Sequence, residues 1–561
     1  MRHLPLVLLY VWMTVFVSDG YAQRGARSEK DARVEATLSA AGENRSNLQG
    51  VLDHYALAVE DGKDADAALK LDAARYLIAN MEGQGFVLTA FYDAKKVEVP
   101  FEALDYKNYG EAQAAMDSLE KEHGSVDYGK KRLDSDAATM TAELLIENIE
   151  WAFKAWRERP WAKGISYETF RDHILPYRGS EEPIGSTRPE LFKRYDDIRG
   201  KMKDASDLAE AAALIRPSID SWMGFSELYY LHPTDLSFAQ MREQKRGRCE
   251  DITNAVLYSM RANAIPVAGD YTPWWANRDN NHAWEVILDK DGKGHAGLSN
   301  RAAKVYRKTF ATQPNTLADA AGRYEKLPKW IAKRTYADVT EQYQPVSEVH
   351  VYLTAPIPSG TKIAYICVFN GGEWRVIDWA KIQPGIKITL KGSMSLKLGS
   401  GSKVSVAKVM SLQFPYAKFK DMGRGIAYIA AYWSGDAVVP ASNPFILDER
   451  GEQQMLNGDE VGTAPSFDSV EIAATVPTTP DADTKRDKPL VKVEADVAYD
   501  LKYWKDGKWE SMGTRQAAKG EHAAAVTFEK IPTNRLLWIT TENGRKLERI
   551  FTIEKGRRVW W

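Results

Sequence analysis

Two cysteines occur in the chain, Cys249 and Cys367. Cys249 follows Gly247 and Arg248 and opens "EDITNAVLYSMRANAIPV". In that stretch Ile252, Ala255, Val256, Ser259 and Met260 recur at helical spacing, and Pro266 marks the exit. A cysteine at a helix start meets unpaired backbone N–H groups and the positive end of the dipole. Those favour a thiolate and offer donors to an oxyanion. His282 opens "HAWEVIL", which alternates like a strand. A thiol and an imidazole on separate elements can act as nucleophile and base.

Such a pair needs a third group to orient the imidazole. Asp289 lies seven residues beyond His282, about 23 Å along an extended strand and out of reach. "DKDGK" reads as a turn, and "GHAGLSN" as a returning strand. A loop at 290–292 would set Asn300 opposite His282, where its amide oxygen accepts the imidazole N–H. Asn300 is therefore the expected third member, with Asp270 and Asp279 as alternatives. Trp274 and Trp275, just before His282, either wall an acyl site or pack.

The elements around this stretch fall into distinct textures. Residues 23–134 are rich in Ala, Leu, Glu and Lys at helical spacing and read as a helical region. "TAELLIENIEWAFKAWRERPW" reads as an amphipathic helix ended by Pro160, and "YETFRDHILPYRG" as another ended near Pro176. Trp151, Phe153, Trp156 and Trp161 read as core. From 346 the sequence is β-branched and aromatic with turn residues between runs, which reads as all-β.

Two β segments look like copies. "AYICVFNGGEWRVI" parallels "AYDLKYWKDGKWES", and "PFILDERG" parallels "IFTIEKGR", with an extra hairpin near 385–410 in the first copy. The expectation is two β-sandwich-like domains, 346–473 and 489–561, joined by a Thr/Pro/Asp-rich linker at 474–488. Trp374, Trp379, Trp504 and Trp509 could stack on sugars, although core packing is the commoner use of such residues.

"GRCEDITNAVLYSMRANAIPV … NNHAWEVIL" resembles the transglutaminase-like core. In that family a Gly-x-Cys opens the central helix, an Arg stands before an "xxIP" segment as Arg261 does here, and a His-Ala-Trp element begins the histidine strand. The resemblance covers about residues 235–305. It implies a papain-like α+β domain, drawn here as 135–345, with Cys249 and His282 as catalytic dyad. Two departures stand out: "HAWEV" is one residue shorter than the common form, and Asn300 stands where the family usually has Asp. The reaction implied is attack of the Cys249 sulfur on an amide carbonyl. The oxyanion would be held by the Cys249 N–H and a further donor, for which Gln244 is the candidate, before hydrolysis or amine transfer.

The expected class is thus α+β: a helical N-terminal region, a transglutaminase-like core and two C-terminal β-sandwich-like domains. Met1–Ala22 reads as a signal peptide, with a basic start, an apolar run and small residues at the cut. The protein is then exported, periplasmic or extracellular, with no membrane span after removal. The formal net charge of -2 argues against nucleic acid as partner. No cofactor or metal motif is present. The partners expected are a protein, peptide or glycopeptide substrate, with glycan contact by the β domains. The competing reading is an inactive envelope binding protein that uses those β domains.

Overall fold

The computed structural model describes residues 29–397, 403–458, 467–473, 493–519, 524–541, 546–554 and 557–561. The expected signal peptide and the 474–488 linker lie outside the described residues. The fold is α+β, with helices first and antiparallel sheets after. The chain divides into two compact units. The first runs through Asp270 and takes Ala283–His295 and Lys308–Thr312; the second holds Tyr271–His282, Ala296–Arg307 and Gln313–Trp561.

The principal helices of the first unit are α1 (Arg45–Asp61), α2 (Ala67–Ala79), α3 (Tyr109–His123), α4 (Ala142–Glu158), α5 (Leu208–Asp220), α6 (Phe238–Gln244) and α7 (Cys249–Arg261). Apart from α3, whose Met116 packs with Phe91 and Val99 in a smaller core, their apolar faces share one core, from Val34 and Leu48 through Phe153, Trp156 and Trp161 to Val256 and Met260. α4 shows why these segments are helical. Thr141 caps the amide of Leu144, Glu143 lies in the first turn, and the helix stops before Pro160. The boundary expected at 134/135 does not separate two bodies, because residues on both sides enter this core.

The purely helical reading of 23–134 is corrected. It holds a three-stranded sheet, β2-β1-β3, from β1 (Gly85–Tyr92), β2 (Glu98–Val99) and β3 (Asp127–Ser135). "FVLTAFY" in β1 is β-branched and aromatic, which suits a pleated, half-buried surface. Neighbouring Ala-rich helices masked that signal.

Two short strands, β4 (Gly224–Phe225) and β5 (Arg246–Gly247), pair in parallel just before α7. A four-stranded sheet follows in the order β7-β6-β8-β9, from β6 (Val267–Thr272), β7 (His282–Ile287), β8 (Tyr306–Lys308) and β9 (Tyr336–Asp338). α7 packs closely on β6: a Cβ on Gly269 would lie 3.5 Å from Thr253 Cγ2 and 3.6 Å from Leu257 Cδ1.

The second unit carries the repeat. Its first half is β10 (Val346–Tyr352), β11 (Ile363–Asn370), β12 (Glu373–Lys381), β13 (Gln383–Lys397), β14 (Lys403–Gly423), β15 (Ile426–Ser434), β16 (Ala437–Pro440), β17 (Phe445–Leu447) and β18 (Gln453–Met455). Its second half is β19 (Phe467–Ala473), β20 (Ala498–Lys505), β21 (Lys508–Gln516), β22 (Ala518–Lys519), β23 (Ala524–Ile531), β24 (Leu537–Thr541), β25 (Lys546–Glu554) and β26 (Arg557–Trp560). The sheet orders match strand for strand. β12-β11-β15-β17-β18 repeats as β21-β20-β24-β25-β26, and β10-β14-β13 repeats as β19-β23-β22; β16 alone has no counterpart. Each half buries its own core between its two sheets. The expected extra hairpin is β13–β14, paired from Gln383↔Tyr416 to Lys397↔Lys403.

The two halves meet through their equivalent hairpins. Trp374 faces Trp504 at 5.8 Å between ring centroids, and Phe369 faces Trp509 at 5.9 Å. Phe369 and Trp504 occupy matching positions, each opposite the hairpin's tryptophan. The contact is therefore reciprocal, as in a two-fold pair. Trp374 and Trp504 are buried, and Trp379 and Trp509 pack against the same cluster. This corrects the sugar-stacking reading for Trp374 and Trp504: their rings are spent on the junction of the repeats.

Candidate functional site

Cys249 is the first residue of α7, with Arg248 as N-cap. The turn into the helix is tight. A Cβ on Gly247 would lie 2.6 Å from Asp251 Cβ and 2.9 Å from Met223 Cε, so only glycine fits. Asp251 Oδ2 accepts the Arg248 N–H at 2.9 Å, and Oδ1 accepts the Leu236 N–H at 3.0 Å. This buried carboxylate caps α7 and anchors the preceding loop. Arg248 points its guanidinium back to Asp235 and to the Pro233 carbonyl at 3.1 Å.

The half-buried thiol has two polar neighbours. It donates to Glu250 Oε2 at 3.3 Å, and the backbone N–H of Ala283 is near enough to favour the ionised sulfur. Ala283 is the residue after His282, so α7 begins beside the first turn of pleat in β7. β7 is tied to α5 through Glu285, which accepts from Arg216 Nε at 2.5 Å. Glu250 is held in turn by Lys308, whose Nζ lies 3.4 Å from Oε1 and donates to Ser180 Oγ at 3.2 Å.

This setting reverses the expectation of an acidic thiol. Burial first, and the Glu250 charge second, push Cys249 up to about 12; the Ala283 amide and Arg248 oppose them. Glu250 itself stays below its ordinary range. Burial opposes its ionisation, but the Lys308 and Arg248 charges outweigh it. The helix terminus does favour negative charge, but Glu250 already supplies it. The resting sulfur is a protonated thiol.

The residues before His282 are fixed from within the β-sandwich unit. Asn370 Nδ2, at the end of β11, donates to the carbonyls of Trp275 at 2.9 Å, Arg278 at 2.8 Å and Asn280 at 3.0 Å. The next amide, Gly371 N–H, donates to Asp279 Oδ1 at 2.7 Å. Buried Arg549, on β25, reaches the same loop at Ala276 O, 3.1 Å, and Asp279 Oδ1, 3.2 Å. Asp279, one of the alternatives for the third member, is thus engaged in holding this loop.

Trp275 is buried, pairs as an isolated bridge with Ala302 and sets its ring 6.0 Å from the His282 ring. Trp274 is partly buried, and its ring takes the Arg375 guanidinium at 4.9 Å. Asn300 does not sit on a return strand. The turn expected at "DKDGK" forms, with Asp289 N–H donating to Lys293 O at 2.8 Å. Residues 294–301 form no strand, and the strand beside β7 is β6. Asn300 Nδ2 donates to its neighbour Ser299 Oγ at 3.2 Å. Two glycines and Pro-free polar residues there carry no β-forming run, so the register argument lacked its strand. Asp270 is carried by β6 itself and is fully buried. Gln244 is exposed at the end of α6, where Lys245 turns the chain with φ +55°.

Sequence reasoning missed Glu250, Asn370 and Arg549. Glu250 was legible as an acid adjoining the cysteine; the other two carried no local signal. No family model matches the chain, and no curated protein matches its sequence. Both cysteines are free, and Cys367 is fully buried. Among the described residues no His/Cys/Asp/Glu group could hold a metal ion, and no helix is long and apolar enough to cross a membrane.

Proposed function

We propose that the protein is an exported cysteine enzyme of transglutaminase-like type that cleaves amide bonds, with Cys249 as nucleophile and His282 as base. The observation that carries this reading is the Ala283 amide beside the Cys249 sulfur. It brings the start of the cysteine helix to the start of the histidine strand, the two elements the family resemblance pairs. Because the resting thiol is protonated, His282 takes the proton as the sulfur attacks, rather than holding a preformed ion pair. The Cys249 backbone N–H at the helix terminus faces the oxyanion. His282 then protonates the leaving amine, and water hydrolyses the thioester. Strand order makes Asp270 a better candidate than Asn300 for orienting the imidazole. Protein, peptide and glycopeptide amides are the substrate classes.

A second reading is favoured by the Glu250 contact: a binding protein whose thiol is kept inert. One experiment separates the two. Iodoacetamide labelling of Cys249 is followed in a Cys367→Ser background, with and without His282→Ala. The enzyme reading expects labelling near neutral pH to fall about tenfold on losing the base. Labelling that ignores His282 would sink it and leave the binding reading.

A further inference from the structure

The first unit contains a cavity of about 200 Å³ between β1, the Phe101–Glu102 turn and the Leu231–Asp235 loop. We propose that it binds a ring-bearing apolar group that carries an amine, and that the amine is met by Glu102. Phe86, Leu88, Phe91, Phe101 and Leu231 supply apolar walls. An apolar cavity of about 150 Å³ already accepts a benzene-sized guest, so this volume takes a ring and a short tail. The charged groups at the wall set the sign of that tail. Glu102, Asp235 and His232 line the cavity, the imidazole being already engaged with Glu102, and neither Lys nor Arg does. Asp235 is satisfied from behind by Arg248 and by the Glu181 N–H. Glu102 uses one oxygen, Oε1, for His232 Nδ1 at 2.9 Å and the Leu104 N–H at 3.0 Å. Among the described residues its second oxygen has no donor, and an ammonium group fits it while a carboxylate is repelled.

The loop that walls the cavity is also the loop Arg248 grips, one residue before Cys249. Identifying the bound group as the side chain of an amide substrate rests on the enzyme reading above; the binding itself does not. The class implied is a peptide or amide whose neighbouring group is both apolar and basic.

The test uses the full chain with Cys249→Ala, so turnover plays no part. Phenethylamine is titrated by saturation-transfer NMR against 3-phenylpropionate, which has the same ring on an acidic tail. The expected result is saturable binding of the amine, about threefold tighter than the acid. Leu88→Trp, which fills the cavity, should abolish it. Glu102→Gln lies on the rim and leaves the core untouched; it should erase the preference for the amine while keeping ring binding. No saturable binding to the folded protein overturns the proposal, as does an amine preference that survives Glu102→Gln. Failure of the enzyme reading shows separately, as His282-independent thiol labelling in the unmutated nucleophile.

Discussion

Arg549 and Asp279 stand 270 residues apart in sequence and are joined by a 3.2 Å ion pair in which the guanidinium is almost fully buried. With Asn370 it fixes the loop that delivers His282. The C-terminal repeats therefore have a task beyond their own stability. Arg549→Ala removes the charged partner of Asp279, which keeps the Gly371 N–H, and the guanidinium donor to the Ala276 carbonyl. Removing one partner of a buried pair costs about 3 kcal/mol, seen as a lower Tm. Hydrogen exchange of residues 275–281 should rise before that of the core. Unchanged exchange would show that the loop holds itself.

Glu250 is expected to restrain the thiol. In Glu250→Gln the hydrogen bond can persist but the negative charge is gone, so ionisation becomes easier. Alkylation of Cys249 at pH 8 should speed up about tenfold, the effect of one pKa unit. A rate equal to that of the parent protein would assign the high pKa to burial alone.

The thiol also implies a dependence of stability on pH. Its folded value of about 12 lies above the ordinary 9. A raised value means the folded state holds the proton more tightly than the unfolded state. This contribution is complete below pH 9 and is lost as pH rises from 9 to 12. Denaturation midpoints of the parent and Cys249→Ala, measured across that window, should converge as pH rises, after subtraction of their common drift. A constant gap would contradict it.

Trp504→Ala removes a buried ring that touches Trp374 and Trp509. Loss of so large a core side chain costs about 4 kcal/mol. The reciprocal hairpin contact predicts that Trp374→Ala weakens the same junction. The double variant should then cost less than the sum of the two, because the rings touch. Strict additivity, measured by chemical denaturation, would mean that the two halves are not coupled through these rings.

Gly247→Ala sets a methyl group against Asp251 and Met223. The strain is worth about 2 kcal/mol and acts on the cap of α7. Cys249 labelling should change along with Tm, whereas Gly185→Ala, which meets nothing within 4 Å, should change neither.

The helix that begins at Cys249, the strand that begins at His282 and the duplicated β segments were legible because each rests on local periodicity and turn residues. The internal repeat was readable from two aromatic hairpins, and the matching strand orders follow from it. What the sequence could not decide depends on contacts distant in the chain. Its helix-start position alone makes Cys249 look acidic, yet burial and an ionised Glu250, held by Lys308, keep it protonated. Spacing alone put Asn300 opposite His282, but the neighbouring strand is β6, because a strand forms only where its residues can pair and pack. Trp504 was legible as an aromatic strand residue. Only the packing of one repeat on its copy placed it in a core rather than on a surface. Local sequence determines which elements form; which charges and rings share a buried space is settled by tertiary structure, since Coulomb and desolvation energies depend on distance in space and not on separation along the chain.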